Sequence, residues 1–312
     1  MATARVSPGR PLKVGVQLPE VEWPARWSDL RDMAHAAEQV GLDSLWVGDH
    51  LLYRLPDEEP SGPWEAWSLL AALAAVTERI ELGPLVACAL FHAPAMLAKK
   101  AATIDEISGG RLILGLGAGW NESEFRAYGF PFEQRISRFE EAFTILRTLL
   151  REGAIDFDGR FYQARDCELR PRGPRPSGPP LMVGSIGPRM LRITLPHVDA
   201  WNAWYADTAN TPDGASALVA RVDGACRAVD RDPAAVERSV AVLVQLPEGR
   251  GRRQGGEAGR RVEPLSGPPE VIAAGLRAYA RAGVGHVQLV LDPITVASVE
   301  ALAPVLEALD RG

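Results

Sequence analysis

The sequence predicts an α/β chain whose strands close into a (β/α)8 TIM barrel, with insertions at the carboxyl ends of the strands. Three observations lead there. Short runs rich in Val, Leu and Ile alternate with longer segments of helical period, the pattern of βα units wound around a parallel sheet. About eight such units follow one another. The chain has 312 residues, more than the roughly 250 usual for such a barrel, and the surplus falls in two recognisable insertions. A doubly wound open sheet is the alternative that the same alternation allows.

Taken in order, strands are expected at 12–18, 44–48, 80–86, 111–116, 181–185, 200–204, 240–246 and 286–291. Each is a short apolar run, as a parallel strand buried on both faces requires. Helices fill the intervals. The first carries Trp27, Leu30, Met33, Ala34, Ala37 and Val40 on one face, and the last carries Val299, Leu302, Leu306 and Leu309. Both stripes read as packing against the sheet rather than as cofactor contacts. At and after the end of the fourth strand, Gly115, Gly117 and Gly119 leave the backbone bare where a ligand can lie against it. A long helix follows, in which Ile136, Phe139, Phe143, Leu146 and Leu150 recur at steps of three and four.

Two insertions account for the surplus. Residues 155–169 read as a hairpin with Asp158 and Gly159 at its turn, and the Pro-rich PRGPRPSGPP then delivers the chain to the fifth strand. Residues 247–266 carry Gly and Arg without hydrophobic period and are expected to form a mobile, exposed loop. Its arginines between 249 and 261 either grip an acidic ligand as a lid or are merely solvated. Residues 1–10 are expected to be a flexible terminus. With no internal repeat and no dividing linker, 1–312 reads as one domain.

Composition narrows the function. With 46% apolar and 24% charged residues, order is expected nearly throughout. A net charge of -6 argues against a general nucleic-acid or anionic-membrane binder, since both need basic surface. The expected partner is a small molecule. Cys88, Cys167 and Cys226 are odd in number and widely spaced, so neither a disulfide framework nor a metal site is suggested. The opening MATARVSPGR lacks the apolar core of a secretion signal, and no apolar run approaches the roughly 20 residues of a membrane span. A cytoplasmic setting is the expectation.

Ligands of such barrels bind at the carboxyl ends of the strands, so residues there carry the candidate chemistry. WVGDHLL places Asp49 and His50 just after the second strand, where His50 can exchange a proton near neutral pH. An Asp-His pair taken alone is more often a structural hydrogen bond; its place at a strand end favours chemistry. His92 reads as packing or capping beside Pro94, and His35, His197 and His286 as structural. LGPLV, ending in Leu85 and Val86, suggests an irregular strand end for a flat ring, or a plain bend. GSIGPRML opens a helix after the fifth strand, so Gly184, Ser185 and Gly187 can receive a phosphate, with Arg189 as a helper or simply solvated. Trp201 in DAWN is a candidate contact or a core residue.

The blocks VGVQLP, SLWVGDHLL, LAAVTERIELGPLV, HAPAMLAKKAATIDEISGGRLILGLGAGW and VDAWN resemble the luciferase-like monooxygenase superfamily over most of the chain. Within it, the sequence is most similar to the branch that binds the deazaflavin coenzyme F420, and FMN-using relatives share the same motifs. The resemblance implies a (β/α)8 barrel with the flavin-like ring at the carboxyl mouth. It implies Asp49 and His50 beside the reactive ring carbon, and a non-proline cis peptide at Leu85 and Val86 behind the ring. It also implies a phosphate site at Gly184, Ser185 and Gly187, with Trp201 and Asn202 beside it, and often a homodimer. Where some sugar-phosphate dehydrogenases of the family carry Glu directly after the glycine turn, this chain has Trp120, followed by Asn121. That departure counts against a sugar-phosphate substrate and makes Trp120 an apolar wall or a brace for the turn.

The expected function is therefore hydride transfer between F420 and a small organic substrate, with His50 handling the coupled proton and Asp49 orienting it. The expected cofactor contacts are Leu85, Val86, Gly117, Gly119, Trp120, Asn121, Gly184, Ser185, Gly187 and Trp201. One alternative is an FMN-dependent monooxygenase supplied with reduced flavin by a partner reductase. Another is a non-catalytic flavin-binding protein.

Overall fold

A computed structural model describes residues 9–54, 59–251 and 262–311. The eight expected strands are present as β1 (Lys13–Gln17), β2 (Ser44–Val47), β3 with β4 (Glu81–Pro84, Ala87–Cys88), β5 (Leu114–Gly117), β8 (Leu181–Gly184), β9 (Ala200–Ala203), β10 (Glu237–Gln245) and β12 (His286–Asp292). They pair in parallel in the order β3-β2-β1-β12-β10-β9-β8-β5-β4. The third position is split because the chain bulges at Leu85 and Val86, whose peptide bond is cis. Its first half pairs with β2, whereas its second half pairs with β5. Leu82 pairs with Leu112 just before β5, with Leu82 N–H donating to Arg111 O at 3.1 Å and Ile113 N–H to Leu82 O at 2.9 Å. Those bonds close the ring and exclude the open doubly wound sheet.

The insertions and helices follow the local chemistry. β6 (Ala154–Asp158) and β7 (Gln163–Glu168) form the expected antiparallel hairpin. The helices are α1 (Trp27–Val40), α2 (Ala66–Val76), α3 (Pro94–Ile107), α4 (Glu122–Tyr128), α5 (Arg135–Glu152), α6 (Pro188–Thr194), α7 (Pro212–Arg227), α8 (Pro269–Arg281), α9 (Val296–Glu300) and α10 (Ala303–Asp310). Side chains cap several of their first turns: Glu65 accepts from Trp67 and Ser68 N–H, Thr211 from Gly214 N–H, and Thr295 from Ser298 N–H. Gly153, at φ 90°, stops α5 and turns the chain into β6.

Three expectations change in detail. Trp27 is 40% exposed and stands at the edge of the α1 stripe rather than in the core. The last stripe is shared between α9 and α10, although its four residues are all buried. Within 247–266, Val262 is buried and Leu265–Ser266 forms a short strand, β11, beside β10, so the end of that loop is not exposed coil. The rest of the Arg-rich stretch, 252–261, and most of the 1–10 terminus lie outside the described residues.

Strand alternation divides the core into two layers. Val14, Val16, Leu45, Val47, Leu114, Leu116 and Trp201 point outward into the layer between sheet and helices. Trp46, Leu85, Ile113, Met182 and Ala200 pack together within the barrel. Several polar side chains inside are paired, as burial favours. Asn202 Nδ2–H donates to Ser239 Oγ at 2.9 Å and to Gln288 Oε1 at 2.8 Å. His286 Nε2 lies 2.7 Å from Ser44 Oγ, which also accepts from Trp46 Nε1–H at 2.7 Å. Burial, then the nearby Lys13 charge, push the His286 pKa down to about 3, so this histidine is a neutral structural group.

The closure predicts its own weak point. A Cβ on Gly115 would lie 2.3 Å from Pro84 O, 2.9 Å from Val86 Cγ1 and 3.0 Å from Met182 Cε. Gly115→Ala is expected to cost about 1–3 kcal/mol through overpacking, read from the midpoint of urea unfolding. An unchanged midpoint would mean that β3 and β5 part without cost.

Candidate functional site

The carboxyl mouth of the barrel is organised by the segment that leaves β2. Gly48 comes first: a Cβ there would fall 1.4 Å from Glu20 Oε1, so any larger residue would displace the Glu20 carboxylate from its present place. Glu20, just past β1, accepts from Gln17 Nε2–H and from Tyr53 O–H, each at 3.0 Å. Asp49 is buried and its Oδ2 accepts Cys88 N–H at 2.9 Å, tying the end of β2 to β4. Burial, followed by the Asp49 charge, pushes the Cys88 thiol pKa up, so the thiol stays protonated and is no nucleophile.

His50 comes next and is only partly buried. Its Nδ1 lies 2.9 Å from Glu124 Oε1, and its ring centroid is 4.8 Å from Tyr53 and 5.4 Å from Trp120. Glu124, in the first turn of α4, is only 1% exposed. Its Oε2 accepts Leu51 N–H at 2.9 Å and Leu52 N–H at 3.4 Å. One buried carboxylate therefore holds three consecutive residues. Asn121 adds to the grip, with Nδ2–H donating to Leu52 O at 3.0 Å. Burial opposes the charged form of His50, but the Glu124 hydrogen bond and the charges of Glu20, Glu124 and Asp49 outweigh it and raise its pKa above 6.5.

This geometry corrects one expectation. The carboxylate that orients His50 is Glu124, whereas Asp49 faces Cys88; its Oδ2 stands 3.7 Å from His92 Nε2, beyond a hydrogen bond. Glu20 and Glu124 were not singled out by sequence reasoning. The available signal was a pair of acids, Glu122 and Glu124, in the first turn after a glycine turn, and nothing local distinguishes the buried one from its exposed neighbour.

The glycines also serve differently from expectation. A Cβ on Gly117 would meet Val86 Cγ2 at 2.9 Å, and one on Gly184 would meet it at 2.8 Å. At Gly119, φ 73°, a Cβ would collide with Phe125 Cζ at 2.6 Å and Cys88 Sγ at 2.7 Å. The space they leave is taken by protein. Phe125 and Cys88 fill it beside Gly119, and Val86 fills it beside Gly117 and Gly184 while remaining partly exposed, so Val86 rather than bare backbone forms this part of the mouth.

The remaining candidates separate. Trp120 is 46% exposed beside His50, and Asn121 is turned to the Leu52 carbonyl. Gly184, Ser185 and Gly187 are partly exposed and lead into α6. Trp201 is 0% exposed and faces the helix layer, so no surface of it reaches a ligand. Its Nε1–H instead donates to Ser185 O at 2.7 Å and steadies that turn. Arg189 is held by Glu140 and Ser137, each at 2.9 Å. No cluster of metal ligands occurs among the described residues. Two buried polar atoms around the mouth, Gln17 Oε1 and His92 Nε2, have no hydrogen-bond partner. With the Val86 floor, the partly exposed turn at 184–187 and the His50 pair, they fit a flat polar ring carrying a phosphate tail.

Comparison with known proteins gives these observations a family. The model of the luciferase-like monooxygenase family matches residues 6–254. An F420-dependent glucose-6-phosphate dehydrogenase of Amycolatopsis mediterranei is 35% identical over 184 residues, covering 57% of this chain and 53% of that protein. The pyrimidine monooxygenase RutA of Allorhizobium ampelinum is 34% identical over 206 residues, covering 64% and 55%. The chain thus spans about half the length of these curated relatives. Among solved structures, an F420-dependent secondary alcohol dehydrogenase in complex with an F420-acetone adduct superposes with a TM-score of 0.80 at 18% identity, covering 96% of this chain and 99% of that one. That likeness bears on the barrel, while the family match rests on sequence. By that family match the chain belongs to the luciferase-like monooxygenase family.

Proposed function

We propose that the protein is an oxidoreductase that transfers a hydride between F420 and a small organic substrate, with His50 moving the coupled proton. The observation that carries this reading is the His50–Glu124 pair at the barrel mouth. When bound, F420 supplies the ring carbon that gives or takes the hydride. Val86 and Leu85 would form the floor beneath the ring, Trp120 would form an outer wall, and the turn at Gly184, Ser185 and Gly187 would receive the phosphate.

Because Nδ1–H is engaged by Glu124, Nε2 is the atom left to exchange a proton with the substrate. The charged imidazole is the acid that protonates a developing alkoxide, and the neutral form is the base that deprotonates an alcohol. Glu124 fixes the ring in one tautomer and orientation. Asp49 acts at one remove, by anchoring the strand end that carries His50.

A second reading, an FMN-dependent monooxygenase with a partner reductase, is supported by the similarity to the pyrimidine monooxygenase. Fluorescence titration with F420, and separately with oxidised and reduced FMN, distinguishes them. Micromolar binding of F420 with little affinity for FMN is expected, together with turnover independent of oxygen. Preference for reduced FMN and consumption of oxygen would transfer the protein to the second reading.

His50→Ala is expected to retain the fold and F420 binding while losing turnover by about 10²–10⁴-fold, the usual worth of a positioned acid or base. Undiminished turnover would remove His50 from the mechanism. Glu124→Gln is expected to lower the His50 pKa and move the corresponding limb of the pH–rate profile to lower pH. The same pair links stability to pH. A raised native pKa makes the protonated pair stabilising in full below about 6.5, the unfolded value. That contribution disappears as pH rises through the native value, and this slope should flatten in Glu124→Gln. Denaturation midpoints across that range, with an NMR titration of the His50 ring, provide the check.

A further inference from the structure

A cavity of about 360 Å³ lies beside the mouth, between the segment after β1 and the segment at 61–64. Its walls are mostly apolar and include Val21, Trp23, Leu30, Trp64 and Leu69. Both indoles are fixed through their N–H groups, Trp23 to Ile294 O at 2.9 Å and Trp64 to Ala25 O at 2.8 Å. Their donors are therefore engaged and their rings offer hydrocarbon surface in a set orientation. Trp64 lines the cavity while staying 64% exposed. The polar lining is segregated. Arg26 and Ser61 are exposed residues, whereas Glu20 is partly buried next to Gly48.

Glu20 connects this cavity to the chemistry. It lines the wall, accepts the Tyr53 hydroxyl, and Tyr53 packs on His50 with ring centroids 4.8 Å apart. Glu20 and Tyr53 thus stand between the apolar cavity and His50. The volume sits at the lower end of the roughly 300–1,000 Å³ usual for small-molecule sites.

We propose that this cavity holds the apolar arm of an uncharged carbonyl or alcohol substrate, and that Glu20 keeps anionic groups from the inner end. The choice of a carbonyl or alcohol rests on the hydride-transfer reading. The cavity as an apolar-arm site does not. Glu20 is the carboxylate in the lining and is partly buried beside Gly48, whereas Arg26 is exposed, so an anion carried to the Glu20 end would meet a like charge in a partly desolvated setting.

The test uses coenzyme-free full-length protein, with cyclohexanone, phenylacetone and the anionic phenylacetate as probes in calorimetric and tryptophan-fluorescence titrations. The ketones are expected to bind and phenylacetate at least tenfold more weakly, with Glu20→Gln narrowing that gap. Val21→Trp, which fills the cavity, should weaken phenylacetone binding at least tenfold while leaving F420 affinity unchanged. Should that variant fail to fold, Leu69→Phe fills the cavity from α2. Ketones that do not bind, or that bind equally well to the filled variant, overturn the proposal. The two readings fail separately. F420 binding without ketone binding removes only the cavity assignment, and cavity-sensitive ketone binding without F420 binding removes only the coenzyme reading.

Discussion

Glu124 places a carboxylate at 1% exposure and gives it three donors, His50 Nδ1–H and the amides of Leu51 and Leu52. Leaving such a group unpaired costs several kcal/mol, so the segment after β2 is held to the start of α4 for as long as the carboxylate stays buried. The histidine inherits that constraint. Its ring has one orientation, one engaged nitrogen and one nitrogen left for exchange. Asn121 and Trp120, on the same approach to α4, complete the side of the mouth against which His50 sits.

A second constraint sets the depth of the mouth. The third strand is shared between two neighbours, and the bulge between its halves sends Val86 over Gly115, Gly117 and Gly184. Two strands thus meet on one side chain, and a Cβ on Gly115 or Gly117 of β5 or on Gly184 of β8 would lie within 2.9 Å of it. Interiors packed to this density transmit small displacements. Trp201 belongs to the same arrangement from outside, since its indole N–H fixes the Ser185 carbonyl and so the turn that leaves β8.

Electrostatics give the site its character. Glu20, Asp49 and Glu124 surround His50, raising its pKa against the effect of burial. His286 shows the opposite case in the same barrel, where burial without a carboxylate partner holds the ring neutral. The two histidines differ in their neighbours, and only the one at the carboxyl mouth has acids within reach.

The sequence by itself determined the alternation of strands and helices, the hairpin within 155–169, the glycine turn after the fourth strand and the position of His50 at a strand end. Those features are local: period two or 3.6, caps and turn formers act over a few residues. Only the tertiary structure decided which acid meets His50, because Glu124 lies 74 residues further along the chain and its neighbour Glu122 has the same local setting. Likewise, DAWN reads equally well with Trp201 inward or outward until strand register places Ala200 and Asn202 inside. The glycines were legible as bare backbone, but what fills the space beside them depends on a strand bulge more than 25 residues away, and such pairing is fixed by packing rather than by local preference.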